Sequence, residues 1–464
     1  MDTWKWMAAV GLGLTLLACG GGGGSDAGGG PKPGGESPPI SLAVPGRFIT
    51  KLGTGDSAWF AMAEKSQDFV RNVAPDRQLL AALDGAATPG IAYQPPAGWS
   101  LIDFAVHPSR EVSLVLASPT QLRLVRLSRS GAVLRDQPFL DPPAATDAII
   151  DGPFPSMDSA SLVPTAVTHD AAQLAALGED VVLAFRSGRF AVVLHRLGYS
   201  AANGFVSRWR SLAEPGVMIG ASLPLSGSFD PFKGVDNMWR VFLAADAQGR
   251  IAVALALSAT ELAAGHARHF GKPLDTSAVE GFMLSRFSAD GQRSYSVLHR
   301  TEGRSEVQGL RWLDDRIAVV GRVRTVRSTD GWDAYVALVA DGTRALTHEL
   351  VNVDQGEVLF DIARLPNGQL LACGAAGYTQ NPTGVSVSET ATPLLMVLDA
   401  AGKPVRRVAL TAGPRHNQLR SLAAWQGGWL MAGMENGPGT HSADGDAALL
   451  TADGYVRKRR DVGL

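Results

Sequence analysis

The chain has 464 residues, with 42 Lys and Arg against 44 Asp and Glu, a balance that argues against general nucleic-acid binding, which shows a basic excess. Its 53 Gly and 27 Pro among plentiful Leu, Val and Ala describe a turn-rich globular protein. Once roughly 45 residues at the front are set aside, the rest suffices for two or three ordinary domains or one large repeat domain.

Met1 to Ala18 starts with a short polar stretch containing Lys5 and continues in the apolar run Met7-Ala-Ala-Val-Gly-Leu-Gly-Leu-Thr-Leu-Leu-Ala18. About a dozen apolar residues are too few to span a bilayer, which takes ~20, but they suit the core of a signal peptide. The run ends in Leu16-Leu-Ala-Cys-Gly20, which resembles the lipobox of bacterial lipoproteins. The resemblance implies cleavage before Cys19 and a diacylglyceryl group on that cysteine. Mature members of the class carry two or three acyl chains, enough for stable attachment where one is marginal. Gly20 stands where an Asp would retain such a protein at the inner membrane, which implies the outer membrane, on either its periplasmic or its surface face. The competing reading is an ordinary signal peptide with a chance cysteine.

After Cys19 come Gly20-Gly-Gly-Gly-Gly24, Ser25-Asp-Ala-Gly-Gly-Gly30, Pro31-Lys-Pro-Gly-Gly35 and Ser37-Pro-Pro39. Such a composition buries no core and reads as a flexible tether over 19–45, with a typical reach of about 30 Å. The expected organisation is a signal peptide over 1–18, this tether, and a single domain over 46–464.

That domain is built from repeats. Three stretches share one pattern: Val307 to Gly321, Phe360 to Gly374 and Leu419 to Gly433 each contain an apolar run, a polar or Gly turn, a second apolar run and a Gly. Each reads as a hairpin of two buried strands. A closing hairpin follows, as in Asp333-Ala-Tyr-Val-Ala-Leu-Val-Ala-Asp-Gly342, Pro393 to Gly402 and Asp446 to Gly454. Fainter closing hairpins occur at Gln121 to Gly131 and Phe282 to Gly291, and Asp180 to Phe185 and Arg240 to Ala245 read as the beginnings of inner strands. Four antiparallel strands recurring every ~50–60 residues mark the blades of a β-propeller. Six units start near residues 102, 177, 240, 307, 358 and 419, and 46–100 has the length of another, so an all-β fold of seven blades is favoured over six. Gly321, Gly374 and Gly433 should be equivalent, each just past a second strand, and Gly342, Gly402 and Gly454 should lie in turns between third and fourth strands. The Asp-Ala-Tyr-Val…Asp-Gly pattern resembles the SBBP-type and delta-sixty repeats of bacterial propellers, well over 300–464 and weakly over 100–300. Those families share no single reaction, so the resemblance implies a fold and carries no site residue.

Candidate chemistry is sparse. His266 and His269 follow a Ser258…Glu261 capping box, so a short helix could set both rings on one face toward a metal, though no further ligand is visible. Asp330 and Asp333, and likewise Asp444 and Asp446, could offer carboxylates to calcium, but they lack the EF-hand loop and its final Glu, and turn formation explains them. Asp330-Gly-Trp also matches part of the sialidase Asp-box, without recurrence. No G-x-S-x-G, P-loop or dinucleotide fingerprint is present, and the ten Trp do not repeat in register, so no catalytic set is identified and no cofactor is expected. Cys373, in Gln369-Leu-Leu-Ala-Cys-Gly374, reads as a buried apolar residue without a disulfide partner. Arg457-Lys-Arg-Arg460 reads as a solvated outer edge, or else as a contact for acidic polymers.

The sequence thus points to a lipid-anchored propeller that binds or scaffolds a protein or glycan, with its oligomeric state open. The alternative is a hydrolase or lyase acting on a polymer in the central funnel. Carboxylates converging there with a His or Arg would favour the enzyme, and an apolar or small-residue lining would favour the binder.

Overall fold

A computed structural model describes residues 41–65, 76–83, 89–118, 121–141, 148–151, 172–187, 191–214, 216–219, 241–257, 280–301, 303, 305–324, 332–353, 356–377, 379–380, 386–387, 391–414, 416–437 and 453–460. These residues form seven four-stranded antiparallel sheets, the blades of a propeller. Blades 1 to 6 cover residues 47–93, 100–139, 172–214, 242–301, 305–351 and 357–407. Blade 7 combines 416–459 with the N-terminal strand Ser41–Val44.

The first strand of each blade lies nearest the axis, where neighbouring first strands touch. Second and third strands are covered on both faces by the adjoining blades. Val112–Ala117, Arg77–Ala82 and Leu370–Ala376 are accordingly buried throughout. This explains why Leu370 to Ala376 reads as a continuous apolar run and not as an alternating pattern. Fourth strands form the rim, and Val133–Phe139 and Pro404–Arg407 are largely exposed. Seven main apolar clusters fill the seven junctions between blades, such as Val182 and Leu194 of blade 3 against Val253 and Leu255 of blade 4.

Blade 7 closes the ring with strands from both ends of the described chain. Ser41–Val44 pairs antiparallel with Asp453–Arg459, with Ser41 opposite Arg457 and Val44 opposite Gly454. Two sequence expectations are corrected here. Gly454 lies within the third strand of blade 7 and not in a closing turn, because the fourth strand comes from the N-terminal segment. Arg457 to Arg459 therefore occupy a half-buried third strand, with Arg457 opposite Ser41, and not the outermost strand. The closing strand also falls within the stretch read as tether.

Gly321, Gly374 and Gly433 do occupy equivalent places, but inside the second strands of blades 5, 6 and 7, opposite Val307, Leu359 and Leu419, and not just past them as expected. In each case the facing first strand bulges, between Val307 and Gly309, Leu359 and Asp361, and Leu419 and Ser421. The bulge turns a carbonyl (of Glu306, Val358 or Gln418) onto the glycine Cα, where any Cβ would collide with it. Glycine is thus required by backbone approach. Gly342 and Gly402 lie in turns between third and fourth strands, as expected. Asp180–Ser187 is the second strand of blade 3, its first being Ala172–Leu177.

The two faces of the ring differ. First-to-second and third-to-fourth connections are short on one face, at 107–111, 128–132, 178–179, 246–250, 314–315, 365–369 and 426–427. Second-to-third and blade-to-blade connections open on the other and include the long stretches 140–171, 215–241, 258–279, 377–391 and 438–452. We term these the turn face and the loop face. On the loop face, Ala148–Asp151 and Gly216–Ile219 pair in parallel.

Candidate functional site

The central channel is lined by the first strands. In five blades the residue after the first-strand bulge falls at a matching position: Lys51, Asp103, Gly309, Asp361 and Ser421. Asp103 and Asp361 make the same set of bonds. One Oδ1 accepts the following amide, Phe104 N–H at 2.8 Å or Ile362 N–H at 2.9 Å. Each Oδ2 accepts an amide from the next blade, Leu174 N–H or Leu422 N–H, both at 2.9 Å. Each carboxylate also receives a cation from the preceding blade, Lys51 Nζ at 2.6 Å and Arg311 Nε at 2.7 Å. The device of cation, Asp and amide therefore recurs across blades 1–2–3 and 5–6–7.

Further bonds extend these braces. Ser421 Oγ donates to Asp361 Oδ2 at 3.2 Å and accepts Leu52 N–H of blade 1 at 3.1 Å. Gln173 Oε1 accepts Leu243 N–H, tying blade 3 to blade 4 at 2.8 Å. Side-chain bonds thus connect the inner strands from blade 5 through 6, 7, 1, 2 and 3 to blade 4. The junction of blades 4 and 5 is tied nearer the turn face, where Arg250, Arg286 and Tyr295 of blade 4 bond Asp341 of blade 5 at 3.1, 3.2 and 3.1 Å.

Arg311 is enclosed by protein yet keeps 42% of its side chain exposed, because it faces the lumen. Asp361 beside it, with Cys373 and Asp103 adding to the field, holds its guanidinium protonated above the ordinary range. Behind it, Cys373 pairs with Asp361 across the ladder and is fully buried. Burial and the Asp361 charge push its thiol well up, so it stays an unreactive core residue. The channel therefore contains the two carboxylates and basic side chains that would mark an enzyme. Asp103 and Asp361 are nevertheless 4% and 9% exposed, and both oxygens of each are occupied. A general acid or base needs a carboxylate free to exchange a proton with substrate. The two act as braces.

A second constellation lies on the rim between blades 2 and 3. His195 Nδ1 stands 3.2 Å from Ser207 Oγ, and its Nε2 stands 3.3 Å from Asp141 Oδ2. This is the connectivity of nucleophile, base and orienting carboxylate. The Nε2 contact lacks the geometry of a hydrogen bond. Burial tends to raise the Asp141 pKa, but His195 and Arg210 outweigh it and leave it lowered. Arg210 Nε holds both Asp141 oxygens at 3.1 Å. His195 is wedged against Phe139, edge-on at 5.1 Å, and Phe185. Ser207 sits on the exposed outermost strand, where nothing excludes water from its hydroxyl. The group links the exit of blade 2 to the outer strand of blade 3.

Of the metal candidates, His266, His269, Asp330, Asp444 and Asp446 lie outside the described residues, as does Cys19. Asp333 is buried at the start of the third strand of blade 5 and accepts Asn352 Nδ2 at 3.0 Å. Among the described residues, no group of three or more His, Cys, Asp or Glu is placed to hold a metal ion. Neither the braces nor the His195 group was anticipated from sequence. A signal for the braces exists, since Leu101-Ile-Asp-Phe104 and Leu359-Phe-Asp-Ile362 both place an acid inside an apolar first strand.

No protein-family model matches the chain. No curated protein matches it. Among solved structures it is similar to the β-propeller domain of the Trilobed protease from Pyrococcus furiosus, described as having an open velcro topology. That match has 7% identity and a TM-score of 0.46, covering 89% of this chain and 93% of that one. It is also similar to YCF48 bound to D1 peptide, with 11% identity, a TM-score of 0.45, and coverage of 91% and 97%. Against a prolyl endopeptidase the identity is 10% and the TM-score 0.43; the match covers 84% of this chain and only 45% of that one. The chain thus spans about half the length of that peptidase. These likenesses bring no activity, substrate or partner to this chain.

Proposed function

We propose that the chain is a lipid-tethered binding module, whose loop face holds a protein or glycan ligand at the cell envelope. The inequality of the two faces carries this reading. A rigid ring of braced blades presents long connections on one side and tight turns on the other, and binding residues concentrate on long loops positioned by such scaffolds. The closing strand starts at Ser41, paired with Arg457 at the turn-face end of blade 7. A tether from Cys19 would join the propeller there and leave the loop face directed away from the anchoring membrane. The saturation of Asp103 and Asp361 favours this reading over the polymer hydrolase.

Photo-cross-linking in intact cells tests it. A cross-linker at Ala97 or Val353, exposed in the loop-face connections between blades 1 and 2 and blades 5 and 6, should yield one recurring adduct, and one at Asp290 or Asn367 in turn-face loops should not. Adducts from the turn face alone would overturn the assignment. Cleavage of an envelope polymer by the purified chain, lost in Asp103→Asn or Asp361→Asn variants that remain folded, would establish the hydrolase instead.

A further inference from the structure

The N-terminal strand enters blade 7 with Ser41 opposite Arg457, so the chain joins the propeller beside Arg457-Lys-Arg-Arg460. Arg457 is ion-paired with Glu435 at 2.6 Å. Lys458, Arg459 and Arg460 complete the run at the turn-face corner. The Lys458 ammonium lies 4.9 Å from the Trp425 ring centroid, and Arg460 is exposed. Desolvation, with the neighbouring Arg460 charge adding to it, lowers the Lys458 pKa. Arg459 Nη1 donates to the Ala409 carbonyl of blade 6 at 3.0 Å. That contact brings up the outer strand of blade 6, where Lys403 and Arg406 are exposed, while Arg407 reaches the other way to donate to Thr392 Oγ1 at 3.0 Å. The acid of that turn, Asp399, turns its Oδ1 inward to the Ala401 and Lys403 amides at 2.8 and 2.9 Å.

We propose that this corner of blades 6 and 7 docks on anionic phospholipid headgroups. The proposal rests on the lipid-tether reading above, which sets the corner at the membrane. Two observations select the occupant: the cations collect where the chain leading to Cys19 enters the fold, and the charge is complementary to an anionic leaflet. A flexible tether alone lets the body float at all angles, within about 30 Å of the surface. Attraction of the corner adds an orientation, with the turn face down and the loop face outward. The attraction amounts to about fivefold in partitioning per Lys or Arg near the surface and falls off within a Debye length of ~8–10 Å.

The test uses the chain from residue 19 with Cys19→Ser, which keeps the whole propeller and removes the acyl chains. Co-flotation with phosphatidylcholine vesicles is compared with flotation on vesicles containing phosphatidylglycerol. Binding should require phosphatidylglycerol and weaken with salt. Lys458→Gln/Arg459→Gln/Arg460→Gln should lower it by roughly a hundredfold for the three charges. Arg300→Gln, on the outer strand of blade 4, should change it less than twofold. Equal flotation on both vesicle types, or undiminished binding by a triple variant that melts like the parent, would overturn the docking surface. Incorporation of labelled palmitate into the native chain decides the lipid reading separately. Loss of label with Cys19→Ser supports it, and its absence from the native chain removes the tether while leaving the vesicle result to judge the surface.

Discussion

Gly374→Ala puts the match between bulge and glycine to a quantitative test. The new Cβ would lie within 3.0 Å of the Val358 carbonyl oxygen, 2.8 Å from its carbon and 3.0 Å from Leu359 Cα, all backbone atoms. No side-chain rotation can relieve this. Either the bulge flattens or the first two strands of blade 6 part. Overpacking of this kind costs ~1–3 kcal/mol, and one or two ladder hydrogen bonds lost as the strands separate add about 1 kcal/mol each. The expected destabilisation is therefore ~2–5 kcal/mol. For a cooperative body of roughly 420 residues, an unfolding entropy of ~2.1 cal/mol/K per residue makes this a fall in Tm of only about 2–6 °C. Urea titration followed by intrinsic fluorescence is the more sensitive assay. The control is Gly342→Ala, in a turn where an added Cβ meets nothing within 4 Å; it should cost less than ~0.5 kcal/mol. Equal midpoints for Gly374→Ala and Gly342→Ala would refute the argument.

Acid should weaken the propeller as pH falls from about 6.5 toward 4. Burial, with Arg126 adding to it, lowers the His107 pKa to about 4, and burial, with His348 adding to it, lowers His299 likewise to about 4; burial also lowers His348. These folded-state values lie below the unfolded value, so the unfolded chain binds more protons in that window and stability rises with pH through it. His299 and His348 meet across blades 4 and 5 as tilted rings with centroids 4.7 Å apart, and His299→Phe/His348→Phe should flatten the dependence of Tm on pH between 4 and 6.5; an unchanged slope would sink this account. Leu42→Asp with Val44→Asp should release the closing strand, measured as faster amide exchange over 453–459 and a lower Tm, and unchanged protection would contradict the closure. Cys373 should resist a thiol reagent in the native protein and react once denatured, so stoichiometric labelling without denaturant would show that the junction of blades 6 and 7 is open.

The repeat was legible in the sequence because each blade encodes its own strands locally. Apolar runs such as Leu370 to Ala376 and turns such as Asp399 to Gly402 depend on neighbours a few positions away. Gly321, Gly374 and Gly433 could be matched across units for the same reason, and Cys373 could be placed in the core from its apolar surroundings. What sequence could not assign depends on partners far along the chain. The fourth strand of blade 7 pairs residues some four hundred positions apart, so Gly454 read as a turn and Arg457 to Arg459 as an edge. Residues 47–93 form another blade because Arg47–Thr54 packs against the inner strands of its neighbours in the ring, contacts no local pattern encodes. Asp103 and Asp361 lie in separate blades with no local signature beyond an acid in an apolar run. Their role follows from cations and amides that only the closed ring brings within 3 Å. Local pattern set the blades, whereas ring closure decided which side chains meet at the channel and at which end of the ring the N-terminal strand enters.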